Sequence, residues 1–338
     1  MAFDFAVSGI NHNHIYGQVD ALVGAGCRLK AFHAPEDDLA ARFAKAYPQA
    51  RRVAEEREIL DDPAVRLVVG AGIPGERAGM ALRAMRAGKD VMVDKPGCTT
   101  PEQLADLKRA VADTGRIWSV CYSEHFLQKA TVAAARLVAE GAIGRVVNTV
   151  GLGPHRVGLH ERPAWFWDTR RGGEILVDIA SHQFAQFLHF TGSESARVLQ
   201  AVEANFDHPE REGWNDYGHA VVASEHATGF IRVDWMTAAG SPAWGDGRLF
   251  LMGTGGNIEL RKYMDTEGRP GGDHLFLTDG AGTRYVDCSG VELDYGARLR
   301  DDVLNRTETA QGQARCFLAM ELALEAHRVA VPLAGTRP

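Results

Sequence analysis

The sequence predicts two domains: an α/β domain on a doubly wound parallel sheet, followed by an α+β domain on an open, mostly antiparallel sheet. Three observations carry this prediction. The chain has 338 residues, more than one ordinary domain needs. Up to Tyr122, short apolar runs alternate with helical patterns of about a dozen residues, the rhythm of strands joined by crossover helices. Beyond Tyr122, apolar runs follow one another across turn signals, with few helices between them. The expected domains are therefore 1–122 and 123–338.

In the first domain, Phe3–Ser8, Arg28–Phe32, Arg66–Ala71, Val91–Asp94 and Ile117–Tyr122 read as buried strands. The helical patterns between them are His14–Val23, Asp37–Tyr47, Glu76–Ala87 and Pro101–Asp113. Pro48 and Gly88 stop the second and third of these. Strands spaced this way imply a sheet covered on both faces, with ligands bound past the carboxyl ends of the strands. In the second domain, Thr131–Glu140 reads as a helix. Strands follow at Arg145–Leu152, Ala196–Phe206, Tyr217–Ser224, Gly229–Trp235, Leu249–Met252, Asn257–Leu260, His274–Leu277 and Thr283–Val286. A last helix covers Gln311–Ala330.

Composition narrows the function. A net charge of −7 gives no basic face for nucleic acid or an anionic membrane. It suits a neutral small molecule better. Five scattered cysteines (Cys27, Cys98, Cys121, Cys288, Cys316), without a CxxC pair, argue against a disulfide framework or a cysteine zinc site. The first residues, MAFDFAVSG, lack a basic segment followed by a long apolar one, and no run is long enough to span a bilayer. A cytoplasmic protein with reduced thiols is expected.

The loop after the first strand is where a dinucleotide pyrophosphate should sit. It reads Gly9-Ile10-Asn11-His12-Asn13-His14. Measured against G-x-G-x-x-G, Asn11 fills the second glycine slot and His14 the third. The loop follows a strand and opens a helix, whose N-terminus favours phosphate. At the end of the second strand, where an acid would hold a ribose, the chain reads Phe32-His33-Ala34-Pro35-Glu36, with Glu36 the nearest acid. Arg51, Arg52 and His33 are alternatives for a 2′-phosphate, so NAD and NADP both stay open.

The motif Val91-Met92-Val93-Asp94-Lys95-Pro96 places a lysine at the carboxyl end of a buried strand, stopped by proline. Farther on, Gly172-Gly173-Glu174-Ile175-Leu176-Val177-Asp178-Ile179-Ala180-Ser181-His182 reads as glycines before one apolar helix. There Asp178 and His182, four apart, share a face. A carboxylate beside an imidazole orients the ring and makes it a good general base.

These motifs resemble those of the Gfo/Idh/MocA oxidoreductases, the relatives of glucose-fructose oxidoreductase and inositol dehydrogenase. Asp94-Lys95-Pro96 stands where that family carries Glu-Lys-Pro, and Gly172-Gly173 with Asp178-x-x-x-His182 matches its second motif. Gly72-Ile73-Pro74 resembles its loop after the fourth strand. The resemblance covers essentially the whole chain. It implies a Rossmann domain binding NAD or NADP through Gly9, Ile10, Asn11, His12, His14, His33, Gly72, Ile73, Pro74, Asp94 and Lys95. It implies catalysis by Lys95, Asp178 and His182 on a sugar or cyclic polyol. Homodimers or homotetramers formed through the open sheet face are expected on the same ground. Further substrate contacts are expected from Glu124, His155, Arg156 and Trp165, alongside Lys95, Asp178 and His182. Three other readings fit the same residues. One is a metal enzyme using His155, Asp178 and His182. A second is a glycoside-cleaving enzyme with no net redox change. The third is a cofactor-free sugar-binding protein.

Overall fold

The computed structural model describes residues 2–158 and 162–333. They form two compact units, Met1–Tyr122 with Asp294–Phe317, and Ser123–Leu293 with Leu318–Pro338.

The first unit holds strands β1 (Asp4–Ser8), β2 (Arg28–His33), β3 (Arg51–Val53), β4 (Val65–Gly70), β5 (Asp90–Asp94) and β6 (Trp118–Cys121). Between them run α1 (His14–Gly24), α2 (Asp37–Ala46), α3 (Arg57–Leu60), α4 (Pro74–Arg86) and α5 (Pro101–Thr114). All strand pairs are parallel, in the order β3-β2-β1-β4-β5-β6. The direction of winding reverses between β1 and β4. Central strands are buried on both faces: Phe5, Ala6 and Val7 of β1 and Val91, Met92 and Val93 of β5 are fully enclosed. Burying a Val, Leu, Ile or Phe side chain contributes about 1.5–3 kcal/mol, so this unbroken apolar run drives the sheet to the centre of its unit. Helix α5 shows how local sequence fixes an element: Thr100 Oγ1 accepts from Gln103 N (3.2 Å), Pro101 opens the first turn, and Gly115 ends the helix at φ 63°.

Two elements escape the periodicity. Strand β3 has only three residues, and Arg51 and Arg52 leave it exposed at the sheet edge. Helix α11 (Tyr295–Asn305) lies far along the chain but packs on α1, burying Tyr295, Leu299 and Val303, with Gly296 against the Ala21 carbonyl. The residues 294–317 thus return to the first unit, which the partition 1–122 and 123–338 does not describe.

The second unit opens with α6 (Ser123–Phe126) and α7 (Lys129–Ala139), followed by β7 (Val146–Pro154). A 3-10 turn (Ala164–Trp167) and α8 (Thr169–Gly172), α9 (Ile175–Asp178) and α10 (Ser181–Thr191) come next. Strands β8 (Arg197–Ala204), β9 (Tyr217–Ala223), β10 (Thr228–Asp234), β11 (Arg248–Gly253), β12 (Asn257–Arg261), β13 (His274–Asp279) and β14 (Gly282–Val286) complete most of the sheet. Helix α12 (Gln313–Val329) and the short β15 (Val331–Pro332) close the chain. The nine strands are ordered β14-β13-β12-β11-β7-β10-β9-β8-β15. The β7–β10 and β8–β15 pairs are parallel and the others antiparallel.

Burial here alternates, as it must when one face is covered and one is open. Ala220, Val222, Ile231, Val233, Leu249 and Leu251 point inward, while Phe230 and Met252 are exposed on the other face. Helices α7 and α10 cover the inner face. Among the described residues, no helix is long and apolar enough to cross a membrane. All five cysteines are free and buried.

Candidate active site

In the first unit the loops after β1, β2 and β4 are stitched together by backbone. Gly9 N donates to His33 O (3.1 Å), Ala71 N to Gly9 O (3.0 Å), and His12 N to Ala71 O (2.8 Å). Gly9 sits at φ 84°, and a Cβ there would stand 2.9 Å from Gly72 Cα, so only glycine fits this close approach. Gly9, Ile10, Asn11 and His12 therefore meet Gly72, Ile73 and Pro74. Helix α1 starts at His14, and its first N–H groups fold back onto this loop: His14 N donates to His12 Nδ1 (3.2 Å), Ile15 N to His12 O (3.2 Å) and Tyr16 N to Asn13 O (3.2 Å). His33 joins through its carbonyl.

Glu36 is placed differently from its sequence reading as merely the nearest acid. It precedes α2, and its Oε1 accepts from Asn11 Nδ2 (2.8 Å), so it reaches back to the glycine loop. Glu36 Oε2 is enclosed and has no hydrogen-bond partner among the described residues. The arginines considered for a 2′-phosphate are engaged elsewhere. Arg51 pairs with Glu58 (3.0 Å); Arg52 pairs with Asp37 (2.8 Å) and donates to Ala34 O (2.9 Å). A backbone cradle that admits no Cβ, beside a carboxylate oxygen lacking a donor, fits a dinucleotide whose ribose brings the missing hydroxyl.

The end of β5 is built around Asp94, which is fully enclosed. His14 Nδ1 lies 2.9 Å from Asp94 Oδ1, His12 Nδ1 lies 3.5 Å from Oδ2, and Arg77 Nη2 lies 3.2 Å from Oδ2. Burial alone would raise the Asp94 carboxyl, but the charges of His14 and Arg77 outweigh it and hold the group well below the usual carboxylate range. His12 moves the other way: burial, then the neighbouring His14, hold it well below an ordinary imidazole. Arg77, itself 1% exposed, also donates to Gly72 O (2.8 Å), Pro96 O (3.1 Å) and Lys95 O. It thereby ties the 72–74 loop to the Lys95-Pro96 turn, whose peptide is cis. Lys95 is 3% exposed. Arg77 belongs to no motif in the sequence. Its signal was an arginine on the buried face of α4, among Ala78, Met80 and Ala81.

In the second unit the single helix expected around Asp178 and His182 is two. Helix α9 ends at Asp178 and α10 begins at Ser181. Ala180 N reaches back five residues to Ile175 O (3.3 Å), a wide turn of the kind found at functional sites. His182 is 1% exposed and Asp178 half-buried.

Next to His182, Gln183 Nε2 donates to Glu124 Oε2 (3.0 Å). Lys262 Nζ donates to Glu124 Oε1 (3.1 Å). Glu124 is 6% exposed. Burial would raise its carboxyl, but Lys262 first, then His182 and His155, hold it far below its usual value. Burial would lower the Lys262 ammonium, yet Glu124 carries it above its usual value. Lys262 and Gln183 were not anticipated, since nothing in their spacing marks them. Glu124 and Lys262 also line a pocket with Gln128, Gln186, Arg248 and Asp273.

Arg156 Nη2 donates to Ser241 O (2.7 Å) and lies near Ala238, Ala239 and Ala243 carbonyls, so it clamps the 238–243 loop. His155 packs edge-on against Trp235, centroids 5.5 Å apart. Trp165 is half-buried at the rim of an aromatic cluster centred on Phe166, which contacts Trp167 (4.9 Å), Trp214 (5.7 Å) and Trp235 (5.1 Å). Among the described residues, two trios bring potential metal-ligating atoms within 4.8 Å: His12, His14 and Asp94; and Glu174, Glu203 and His327. The expected trio of His155, Asp178 and His182 is not among them.

Comparison with known proteins agrees with this architecture. Residues 11–122 match the family model of an oxidoreductase family with an NAD-binding Rossmann fold, and residues 131–259 match the GFO/IDH/MocA C-terminal domain. A crystal structure from Erwinia carotovora atroseptica, named only provisionally as an oxidoreductase, is 39% identical with a TM-score of 0.94, covering 98% of this chain and 100% of that one. The scyllo-inositol 2-dehydrogenase (NADP+) of Bacillus subtilis is 26% identical over 60% of this chain, a match that spans only 58% of that relative's length. Levoglucosan dehydrogenase in complex with NADH and levoglucosan shares the fold, at TM-score 0.78 and 17% identity over 98% of each chain. By its two matched domains and this full-length likeness, the chain belongs to the Gfo/Idh/MocA family of NAD(P)-binding oxidoreductases.

Proposed function

We propose that the protein is an NAD-linked dehydrogenase acting on a secondary hydroxyl of a sugar or cyclic polyol. The observation that carries the choice of NAD is Glu36 Oε2, enclosed beside the glycine loop without a donor. A ribose 2′-hydroxyl would satisfy it, whereas a 2′-phosphate would meet a negative charge. The sugar or polyol class rests on the relatives and on the uncharged hydroxyl chemistry that an imidazole base serves.

A bound nicotinamide supplies the hydride acceptor. The remaining work falls to the chain. His182 takes the hydroxyl proton on an imidazole nitrogen as the carbon is oxidised. Lys95 hydrogen-bonds the same oxygen and offsets its developing charge. Asp178 orients the imidazole or holds a neighbouring hydroxyl. Glu124, fixed by Lys262 and Gln183, holds a negative charge near His182 that offsets the charge the imidazole gains as it takes the proton. In the cell we propose a cytoplasmic homodimer or homotetramer, assembled through the open sheet face that exposes Phe230 and Met252.

The test is a titration of the purified chain with NADH and NADPH. NADH should bind at least tenfold tighter, and Glu36→Ala should erase most of that preference. Tighter NADPH binding would overturn the role of Glu36 alone; failure of both nucleotides to bind would overturn the dehydrogenase. On a substrate found in a sugar and polyol panel, His182→Ala should lower turnover by about 10²–10⁴-fold. A rate near wild type would remove His182 as the base.

A further inference from the structure

We propose that Glu174, Glu203 and His327 form a zinc-class metal site in the second unit, independent of the dehydrogenase site. The three residues come from distant parts of the chain. Glu174 precedes α9, Glu203 lies in β8, and His327 lies near the end of α12. One ligating atom of each lies within 4.8 Å of the others. Glu203 Oε2 and His327 Nδ1 are 2.8 Å apart.

Three features distinguish this trio from a solvated acidic patch. Glu203 is 5% exposed, and its other carboxylate oxygen accepts from Leu176 N (3.4 Å), which holds the group in place. Glu174 Oε2 is enclosed, and the neutral donors Thr169 and Asn215 that hydrogen-bond the carboxyl leave its charge uncancelled. No lysine or arginine among the described residues pairs with Glu174 or Glu203, so the only positive partner at the site is the imidazole.

The chemistry of the ligands selects the metal. Two carboxylates and a dication sum to zero charge, which removes the main cost of burying either. Carboxylate with imidazole suits Zn²⁺, whereas Mg²⁺ prefers oxygen ligands and retained water. Ligand bonds of about 2.0–2.2 Å put tetrahedral ligands roughly 3.4 Å apart, so Glu203 and His327 need to separate by about half an ångström on binding. The His327 side chain is 40% exposed, which leaves a path for the ion and a fourth, water-filled position. Bound metal would cross-link β8, the C-terminal helix and the turn leading to Asp178.

The experiment is calorimetric titration of the metal-stripped full-length protein with ZnCl₂ and, separately, MgCl₂. Expected are one zinc site per chain, at least tenfold weaker magnesium binding, and a melting temperature that rises with zinc. The isosteric Glu174→Gln and the half-exposed His327→Gln should each weaken zinc binding at least tenfold, and His12→Gln should leave it unchanged. Melting temperatures without metal report whether each variant folds; His327→Gln decides the matter if Glu174→Gln does not. No zinc binding, binding that survives His327→Gln, or binding lost in His12→Gln would overturn the proposal.

Discussion

Among the described residues two trios of imidazole and carboxylate stand out, one in each unit, and they are alike in reach but opposite in charge. In His12–His14–Asp94 the single carboxylate already neutralises Arg77, which is itself 1% exposed. A dication there would add uncompensated charge beside a fixed guanidinium. In Glu174–Glu203–His327 two carboxylates face one imidazole and, among the described residues, no arginine or lysine, so the charge deficit runs the other way. Proximity of ligating atoms is common to both; the balance of buried charge separates them. The first trio braces the end of β5 around Arg77, and the second is the one whose charge suits a cation.

The contrast can be pressed hardest at Asp94. Asp94→Asn leaves the buried Arg77 without its counter-charge and should cost about 3–5 kcal/mol of stability, read from urea unfolding at neutral pH. A loss below about 1 kcal/mol would mean that Arg77 is sustained by its carbonyl partners, and the charge argument for the first trio would fail.

A smaller effect is expected at Glu124, a buried carboxylate matched one-to-one by Lys262. Glu124→Gln should cost about 1–3 kcal/mol at pH 7. The sign of its pH dependence follows from the lowered folded pKa. The contribution is complete above the ordinary value of 4.5 and is lost as pH falls through the lower folded value. The stability gap between wild type and Glu124→Gln should therefore shrink in acid. A gap that is constant from about pH 7 to pH 3 would show that the residue acts as a neutral hydrogen-bond acceptor.

Periodicity made most of this architecture legible. Apolar runs spaced by helical patterns, such as Val91–Asp94, told of strands covered on both faces, and the succession of runs with few helices between them told of the second, mostly antiparallel sheet. What failed was local or distant. Strand β3 is too short and too charged to show a period. Helix α11 is stabilised by its packing on α1, which no window around 295–305 contains. The Asp178–His182 spacing assumed a regular helix, and one extra residue in the turn at Ile179–Ala180 breaks that assumption. Lys95 and His182 could be nominated from sequence because short motifs carry them. Arg77, Lys262 and the Glu174–Glu203–His327 trio could not, because their meaning lies in partners many residues away.

The two ends of the nine-stranded sheet bear on how copies of this protein can meet. On one side the last strand is only Val331–Pro332, and its proline has no N–H to offer a neighbour. On the other side, β14 carries Arg284 clasped to Asp279 across the hairpin at 2.7 Å. Lateral strand addition, the usual beginning of a fibril, therefore meets a missing donor at one border and a charged clasp at the other. At high concentration the sheet is built to resist growing by its rim.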